Sequence, residues 1–166
     1  MEMVTTVDEN DNVIGSMERK QAWESGTPVR IAAIIIFNSK GNLILQKISK
    51  YKKHDPLKWT YSAAGHVDAD ESYEVAATRE AKEELGIEGE LDSHIGKVKI
   101  IRKSTGKLGA FHNVFKMYHD GPFTIDPEET DSIAEFSPTE LIKMIRENPD
   151  NFNAGLLQIL SLMDIK

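Results

Sequence analysis

One long apolar stretch, VRIAAIIIFNSKGNLILQKI at residues 29–48, most constrains the fold. Its first half carries an unbroken apolar run at residues 31–37, without the alternation of polar and apolar residues that marks a half-exposed strand. Such a strand is covered on both faces. The turn NSKG then connects it to a second apolar strand. The pattern therefore predicts a central strand in a sheet with helices on both faces.

The rest of the chain interleaves strands and helices. VTTVDENDNVIGSM predicts an opening β-hairpin with a polar turn at residues 8–12. Ser72 as N-cap and Gly86 after the last turn bound a helix, and SPTE, with Ser137 as cap and Glu140 three residues later, begins another. Further strands are predicted at 90–102, 109–119 and 133–136, and a last helix at 153–163. The fold class is α/β (α+β), with a mixed central sheet, and the length predicts one domain over residues 1–166.

Composition excludes several classes of function. A net charge of −7 argues against general affinity for nucleic acids or anionic membranes. The chain contains no cysteine, so a disulfide framework, a zinc-thiolate site and a thiol nucleophile are excluded. The apolar runs are too short to span a bilayer, and the N-terminus lacks the pattern of a signal peptide. We expect a cytoplasmic protein, either a monomer or a homodimer.

The stretch REAKEELG places three carboxylates on one edge of the predicted helix. Glu80, Glu83 and Glu84 fall within about a third of the helix circumference at 3.6 residues per turn. Like charges at these spacings repel one another. Either this edge is a solvated helix face, as most glutamate-rich faces are, or a cation lies on it.

The spacing around these glutamates resembles the signature of the Nudix hydrolase family, G-x5-E-x7-R-E-U-x-E-E-x-G-U, in which U is aliphatic. The matching positions are Gly65, Glu71, Arg79, Glu80, Ala81, Glu83, Glu84, Gly86 and Ile87. Only Ala81 is smaller than the pattern asks. The resemblance implies an α/β/α sandwich in which a loop, a helix and a loop present the glutamates to divalent cations.

The same resemblance implies a role for each signature residue. Glu80, Glu83, Glu84 and the carbonyl oxygen of Gly65 are the expected metal ligands, with magnesium as the expected ion and manganese as the alternative. Carboxylate oxygens are ligands that magnesium prefers. Arg79 is expected at the catalytic centre, where with Glu71 it fixes the carboxylates by ion pairing. The catalytic base is drawn either from the helix, as Glu83, or from a loop glutamate, for which PEET offers Glu128 and Glu129, with Glu129 preferred.

A second resemblance covers roughly residues 5–66, which are similar to the opening half of isopentenyl-diphosphate isomerases and of the Nudix hydrolases related to them. The isomerases use a cysteine just before the glycine-histidine pair, where this chain has Ala64 before Gly65 and His66. Without a thiol, isomerase activity is disfavoured. Three hypotheses stay open: a diphosphate hydrolase, a diphosphate isomerase and a non-catalytic ligand-binding module.

Substrate contacts must come from outside the signature. A basic segment is predicted to attract phosphate or to be a solvated loop; its lysines are Lys47, Lys50, Lys52, Lys53 and Lys58. Lys52 is the preferred phosphate contact because it matches a phosphate-contacting lysine of the isomerase resemblance, and Lys47 and Arg30 complete the predicted binding set. Trp59 and Tyr61 are candidates for base stacking or for packing. The sequence gives no role to four histidines: His54, His94, His112 and His119.

These observations together predict a metal-dependent hydrolase of a small-molecule diphosphate. The expected reaction converts a nucleoside diphosphate derivative, NDP-X, and water into NMP and P-X. The identity of X lies beyond the motifs, because loops set the substrate around a constant metal site.

Overall fold

The fold is that of a computed structural model, which describes residues 2–166. Strands and helices alternate along the chain as the sequence predicts. The strands are β1 Met3–Val7, β2 Val13–Glu18, β3 Val29–Phe37, β4 Leu43–Ile48, β5 Trp59–Thr60, β6 Ala63–His66, β7 Ser93–Ile101, β8 Leu108–Tyr118 and β9 Thr130–Phe136. The helices are α1 Arg19–Ser25, α2 Tyr73–Leu85, α3 Pro138–Glu147 and α4 Ala154–Leu162, with a short 3-10 turn at Pro149–Asn151.

Strand β3 lies at the centre of the sheet, which confirms the prediction from its apolar run. It pairs in parallel with β8 along its whole length and antiparallel with β1, β4 and β6. Residues 32–36 of β3 have no exposed surface, since both faces of the strand are covered. The sheet is therefore mixed, as predicted, and the hairpin of β1 and β2 forms one edge.

Two apolar layers cover the two faces of the sheet. On one face, α2 packs Ala76, Ala77, Ala81 and Leu85 against Ala32, Ile34 and Ile36. On the other face, α3 and α4 pack Leu141, Leu156, Ile159 and Leu160 against Ala33, Ile35 and Val114. The small side chain of Ala81 is buried in the first layer, where a larger aliphatic residue stands in the family signature. The result is the predicted α/β/α arrangement.

The sheet divides next to β3. Strand β4 pairs with β3 only through Ile36–Ile44 and Phe37–Leu43, and then turns away to pair with β5 on that edge, while β9 pairs along its other edge. Strand β6 takes the vacated edge of β3 by pairing Ala63–His66 with residues 31–34. Because β4 and β6 diverge, a gap opens between them, and the C-terminal half of α2 lies over it.

The predicted helix ends are confirmed by their capping contacts. The Ser72 hydroxyl accepts a hydrogen bond from Val75 N–H, and Gly86 ends α2 in the left-handed conformation at φ 66°. Ser137 and Glu140 form the predicted capping box of α3. Strand β9 begins at Thr130, three residues before the predicted start, because it pairs with β4 as far as Ile48. Among residues 2–166 no helix is long and apolar enough to cross a membrane.

Candidate active site

Arg79 connects the carboxylates of α2 to one another and to β6. Its Nε and Nη2 donate to the two carboxylate oxygens of Glu71 at 2.7 and 2.9 Å. Nη1 donates to Glu80 at 2.7 Å and to Glu83 at 3.3 Å, and Nη2 also donates to the carbonyl of His66 at 2.9 Å. The guanidinium is thus one cation on the glutamate edge, and it offsets the repulsion expected between Glu80 and Glu83.

Glu80 lies directly against the backbone of β6. A Cβ atom built on Gly65 would lie 2.1 Å from Cδ and Oε1 of Glu80. Glycine is required here because of this close approach and not because of its backbone conformation, since Gly65 does not have a left-handed φ. The carboxylate of Glu80 therefore rests on the strand, with 13% of its side chain exposed, whereas Glu83 is 59% exposed on the outer edge of the helix.

Glu84 fills the gap between β4 and β6. Its Oε1 accepts a hydrogen bond from Ala64 N–H of β6 at 2.9 Å, and its Oε2 accepts one from the Gln46 side chain of β4 at 2.9 Å. The Gln46 amide is oriented in turn, because its carbonyl oxygen accepts from the Thr130 hydroxyl at 2.6 Å. One helical carboxylate thereby joins two strands that do not pair with each other.

Burial sets the ionisation of these groups. Loss of hydration raises the pKa of Glu84 to about 7, and the hydrogen bonds from Gln46 and Ala64 only partly oppose this rise. Burial also raises the pKa of Glu80, against the lowering effect of Arg79. The pKa of Glu71 is lowered, chiefly by its hydrogen bonds from Arg79. The site therefore favours added positive charge beside Glu80 and Glu84.

The carboxylates have the chemistry of a hard-cation site but are held by the protein's own donors. Within residues 2–166, no three His, Asp or Glu side chains are already grouped to hold a metal ion. The reason is visible in the contacts: Arg79 bridges Glu80 and Glu83, and Glu84 faces Gln46 and Ala64 N–H. Four nearby carboxylates and an outward backbone edge fit a divalent cation.

The outward edge of β6 presents a different carbonyl from the predicted one. In an antiparallel pair, residues alternate between those bonded to the partner strand and those directed away from it. Ala64 N–H reaches Glu84 and the His66 carbonyl reaches Arg79, so these two residues are directed away from β3. Gly65, between them, is directed towards its partner Ala32. The carbonyls on the side of the carboxylates are therefore those of Ala64 and His66, and the His66 carbonyl is bound by Arg79.

The predicted phosphate contact and the predicted loop base meet each other. Lys52 Nζ forms an ion pair with the Glu129 carboxylate, and their side chains are 41% and 58% exposed. Glu129 precedes Thr130, whose hydroxyl donates to the Gln46 side chain that binds Glu84, so this pair lies close to the carboxylates. Of the two PEET glutamates, Glu129 is the one brought to the site.

The other predicted binding residues have different neighbours. Lys47 alternates with Gln46 on β4 and points to the opposite face, where its Nζ lies 5.5 Å from the Trp59 ring centroid. Arg30 donates to the Asp11 carboxylate at 2.8 Å and lies over the Tyr73 ring. No described contact joins either cation to the three glutamates. The aromatic candidates pack: Trp59 lies edge-on to Phe136 at 4.9 Å, and Tyr61 is buried.

Gln46 and Thr130 are the site residues that sequence reasoning missed. Both are buried and polar; Gln46 lies on β4 at the gap, and Thr130 lies on β9, which pairs with β4. Gln46 follows three buried apolar residues in LILQKI and is itself buried, and a polar residue directly after an apolar run was the available signal. Its partner could not be read from the sequence, because Thr130 is distant along the chain and joins β4 only through the pairing of β9.

The NUDIX domain family model matches residues 27–156. This chain belongs to the Nudix hydrolase family. A Nudix hydrolase of Yersinia pestis is 32% identical over 162 residues, covering 98% of this chain and 85% of the relative. An isopentenyl-diphosphate isomerase of Serratia proteamaculans is 32% identical over 161 residues, covering 96% and 89%. These relatives confirm the isomerase-related branch of the family.

Two further similarities extend this finding. A prenyl-diphosphate phosphatase of Methanosarcina mazei is 32% identical over 158 residues, covering 93% of this chain and 90% of the relative. The crystal structure of the Deinococcus radiodurans protein DR0079 superposes with a TM-score of 0.74 at 23% identity, covering 97% and 99% of the two chains. The fold is thus shared well beyond the sequence similarity. The chain is a Nudix hydrolase, in a family that hydrolyses diphosphates and generally uses divalent metal ions.

The close approach of Glu80 to β6 predicts the effect of Gly65→Ala. The added methyl group would overlap the Glu80 carboxylate, so we expect a loss of about 1–3 kcal/mol in the free energy of unfolding. Gly89→Ala is the matched control, because its added methyl would lie 3.4 Å from the Met117 sulfur, an ordinary contact. Urea unfolding of both variants tests this. Equal stability of the two would contradict the placement of Glu80.

The raised pKa of Glu84 predicts a pH-dependent stability in chelator. The native state holds this proton up to about pH 7, whereas the unfolded chain releases it near the ordinary value of 4.5. Between these values the native state binds more protons, so the free energy of unfolding falls as pH rises. We expect a smaller fall in Glu84→Gln, because the contribution of Glu84 is removed while that of Glu80 remains. Thermal melts of both proteins across this window measure it; parallel curves would show that Glu84 has an ordinary pKa.

Proposed function

We propose that this Nudix hydrolase is a divalent-metal-dependent enzyme that cleaves the diphosphate linkage of a nucleoside diphosphate derivative: NDP-X and water give NMP and P-X. The observation that carries the proposal is the position of Glu84. Its carboxylate is held between β6 and Gln46, beside Glu80 and within the electrostatic reach of Glu129. A solvated helix face would not hold a glutamate in this way.

Glu80, Glu83 and Glu84 are the proposed metal ligands, with magnesium as the proposed ion. For the backbone ligand of the metal we propose the Ala64 carbonyl, at the outward edge of β6, in place of the Gly65 carbonyl predicted from the family resemblance. Gly65 has a steric role in this proposal, since it admits Glu80. When bound, a divalent cation supplies positive charge that offsets the negative charge of the diphosphate oxygens. Arg79 fixes the orientation of the Glu80 and Glu83 carboxylates through its hydrogen bonds to them.

The reaction requires a base near the substrate. A water oxygen attacks one phosphorus, the bridging P–O bond breaks, and its electron pair remains on the departing phosphate. A carboxylate accepts the proton from the water. Glu129 is our first candidate because it lies on a loop beside Glu84, and Glu83 is the second because it is exposed on the helix. Lys52 holds Glu129 in the structure and is the proposed contact for a phosphate oxygen.

A second candidate substrate class is a prenyl diphosphate. The Methanosarcina mazei relative, which bears the name prenyl-diphosphate phosphatase, favours it. Isomerisation is disfavoured, because Ala64 occupies the position of the isomerase cysteine and the chain contains no cysteine elsewhere.

Product release from a panel of diphosphates tests the proposal. The panel contains nucleotide sugars, dinucleotides, nucleoside di- and triphosphates and prenyl diphosphates, each with magnesium or manganese. We expect hydrolysis that chelator abolishes and that Glu84→Gln lowers at least a hundredfold, since a ligand is lost while the side-chain shape is kept. Turnover of Glu84→Gln within tenfold of wild type would contradict the assignment of Glu84 as a metal ligand. Binding without turnover across the panel would indicate a ligand-binding module.

The Lys52–Glu129 pair predicts separate effects on binding and on turnover. A lysine that contacts phosphate equally in the ground and transition states should act on KM, so we expect Lys52→Ala to raise KM about ten- to a hundredfold with little change in kcat. Glu129→Gln should instead lower kcat. Exposed charges are screened at high salt, so the effect on KM should shrink there.

Lys50→Ala is the matched control, because Lys50 lies on the same loop and its Nζ is placed over Tyr51. The double variant of Lys52 and Glu129 completes the cycle. If both single variants and the double variant show the same small change, the two residues only pair with each other and neither contacts the substrate.

A further inference from the structure

A cavity of about 710 Å³ lies on the face of the sheet opposite to α2. Its floor is a row of register partners on three strands: His66 of β6, Ile31 of β3 and His112 of β8. Neighbouring residues in register share a face, and the next row, containing Gly65, points to α2. Apolar side chains of α1, β3, β7 and β8 form much of the wall, among them Ala22, Val29, Ile100 and Ala110. The volume is in the range of small-molecule sites.

His112 is the polar group on this floor that is fixed from behind. Its Nδ1 lies 2.9 Å from the Tyr61 hydroxyl oxygen, and Tyr61 is 1% exposed. The contact is closely fitted, since a Cβ atom on Gly155 would lie 2.3 Å from that hydroxyl. Tyr61 does not line the cavity, whereas His112 does. The Nδ1 edge of the imidazole is therefore occupied, and the Nε2 edge is left for the cavity.

The hydrogen-bond inventory sets the tautomer of His112. Burial raises the pKa of Tyr61 and lowers that of His112 to about 3, so a neutral phenol meets a neutral imidazole. His112 Nδ1 is the one partner described for the Tyr61 hydroxyl within residues 2–166. A buried hydroxyl that failed to donate would lose a hydrogen bond to water without replacement. Tyr61 therefore donates to Nδ1, and the proton of His112 is on Nε2.

The cavity and the proposed diphosphate site share strand β6 and one loop. His66 contributes its imidazole to the cavity, while its carbonyl accepts from Arg79 on the other side. Lys53 and His54 line the cavity, and Lys52, the preceding residue, pairs with Glu129 beside the carboxylates. A diphosphate held at the glutamates would therefore lie across β6 from the cavity.

We propose that this cavity receives the organic group of the diphosphate substrate and that His112 Nε2–H donates a hydrogen bond to an acceptor oxygen on that group. The inference rests on the proposed hydrolase function and narrows its substrate class. The favoured group is largely apolar and bears a carbonyl, as pyrimidine bases and acyl chains do. A plain hydrocarbon chain would leave Nε2–H without a hydrogen-bond partner. Sites that form a hydrogen bond to a ligand discriminate strongly against analogues that lack the bonding group.

Two diphosphate esters of matched size test the proposal. One is n-octyl diphosphate, and the other carries the same chain ending in a methyl ketone. We expect the wild-type enzyme to prefer the ketone by at least about tenfold in kcat/KM, and His112→Leu to bring that ratio within about twofold of one. Tyr61→Phe should reduce the ratio partly, because it removes the hydrogen bond to Nδ1 that keeps the proton of His112 on Nε2. His94→Leu is the control, since His94 is exposed and bonded to Asn113 on β8, and it should keep the wild-type ratio.

A binding measurement separates this proposal from the hydrolase assignment. Long-range proton–nitrogen spectra of the full chain in chelator report the His112 tautomer without any turnover. In wild type we expect an Nε2–H signal that shifts with methyl hexyl ketone until the site is saturated. In Tyr61→Phe we expect the signal to broaden, because His112 exchanges between its two neutral tautomers. If neither ester is hydrolysed but the ketone shifts His112, only the hydrolase assignment is lost for these esters. An unshifted signal, no ketone preference in wild type, or an unchanged preference in His112→Leu would overturn the cavity proposal.

Discussion

The guanidinium of Arg79 is the interaction on which the site and its surroundings depend. It binds Glu71 with two parallel hydrogen bonds, reaches Glu80 and Glu83 with a third nitrogen, and ties α2 to β6 through the His66 carbonyl. Hydrogen bonds to charged groups contribute about 1.5–3 kcal/mol each. Lysine could not replace it, because an ammonium lacks the planar fork that meets a carboxylate with two donors. A helix that would otherwise carry mutually repelling charges is thereby held against the sheet.

The fold was predictable where local chemistry alone decides it. The apolar run of β3 required cover on both faces, and Ser72, Gly86, Ser137 and Glu140 act through contacts within a few residues of themselves. The division of the sheet was not predictable, because it depends on which strand takes the edge of β3 at residues 31–34, before the pairing with β4 begins. That choice is made by β6, which lies far along the chain from β3 and carries no signal for its partner.

In the candidate site, too, features set by helix spacing were predictable and contacts between separate strands were not. The signature placed Glu80, Glu83 and Glu84 on one edge of α2, since helix geometry follows from spacing. Their unequal environments did not follow, because Glu84 owes its position to Ala64 N–H and to Gln46, which belong to two separate strands. The direction of the β6 carbonyls did not follow from the signature for a related reason: strand register, rather than motif position, decides which carbonyl points outward. The pairing of Lys52 with Glu129 needed the loop and β9 to be in place.

The parallel pairing of β3 with β8 has a consequence for how the chain reaches this structure. The register joins Val29 to Ala110 and Phe37 to Tyr118, so each pair closes a loop of about 80 residues. Strand β6 and helix α2 lie inside that loop. Closing so long a loop costs chain entropy before the contacts between the two strands can stabilise it, and this slows folding. The central ladder therefore forms late, and a growing chain cannot complete the site until the residues beyond β8 that contribute Glu129 and Thr130 have been synthesised.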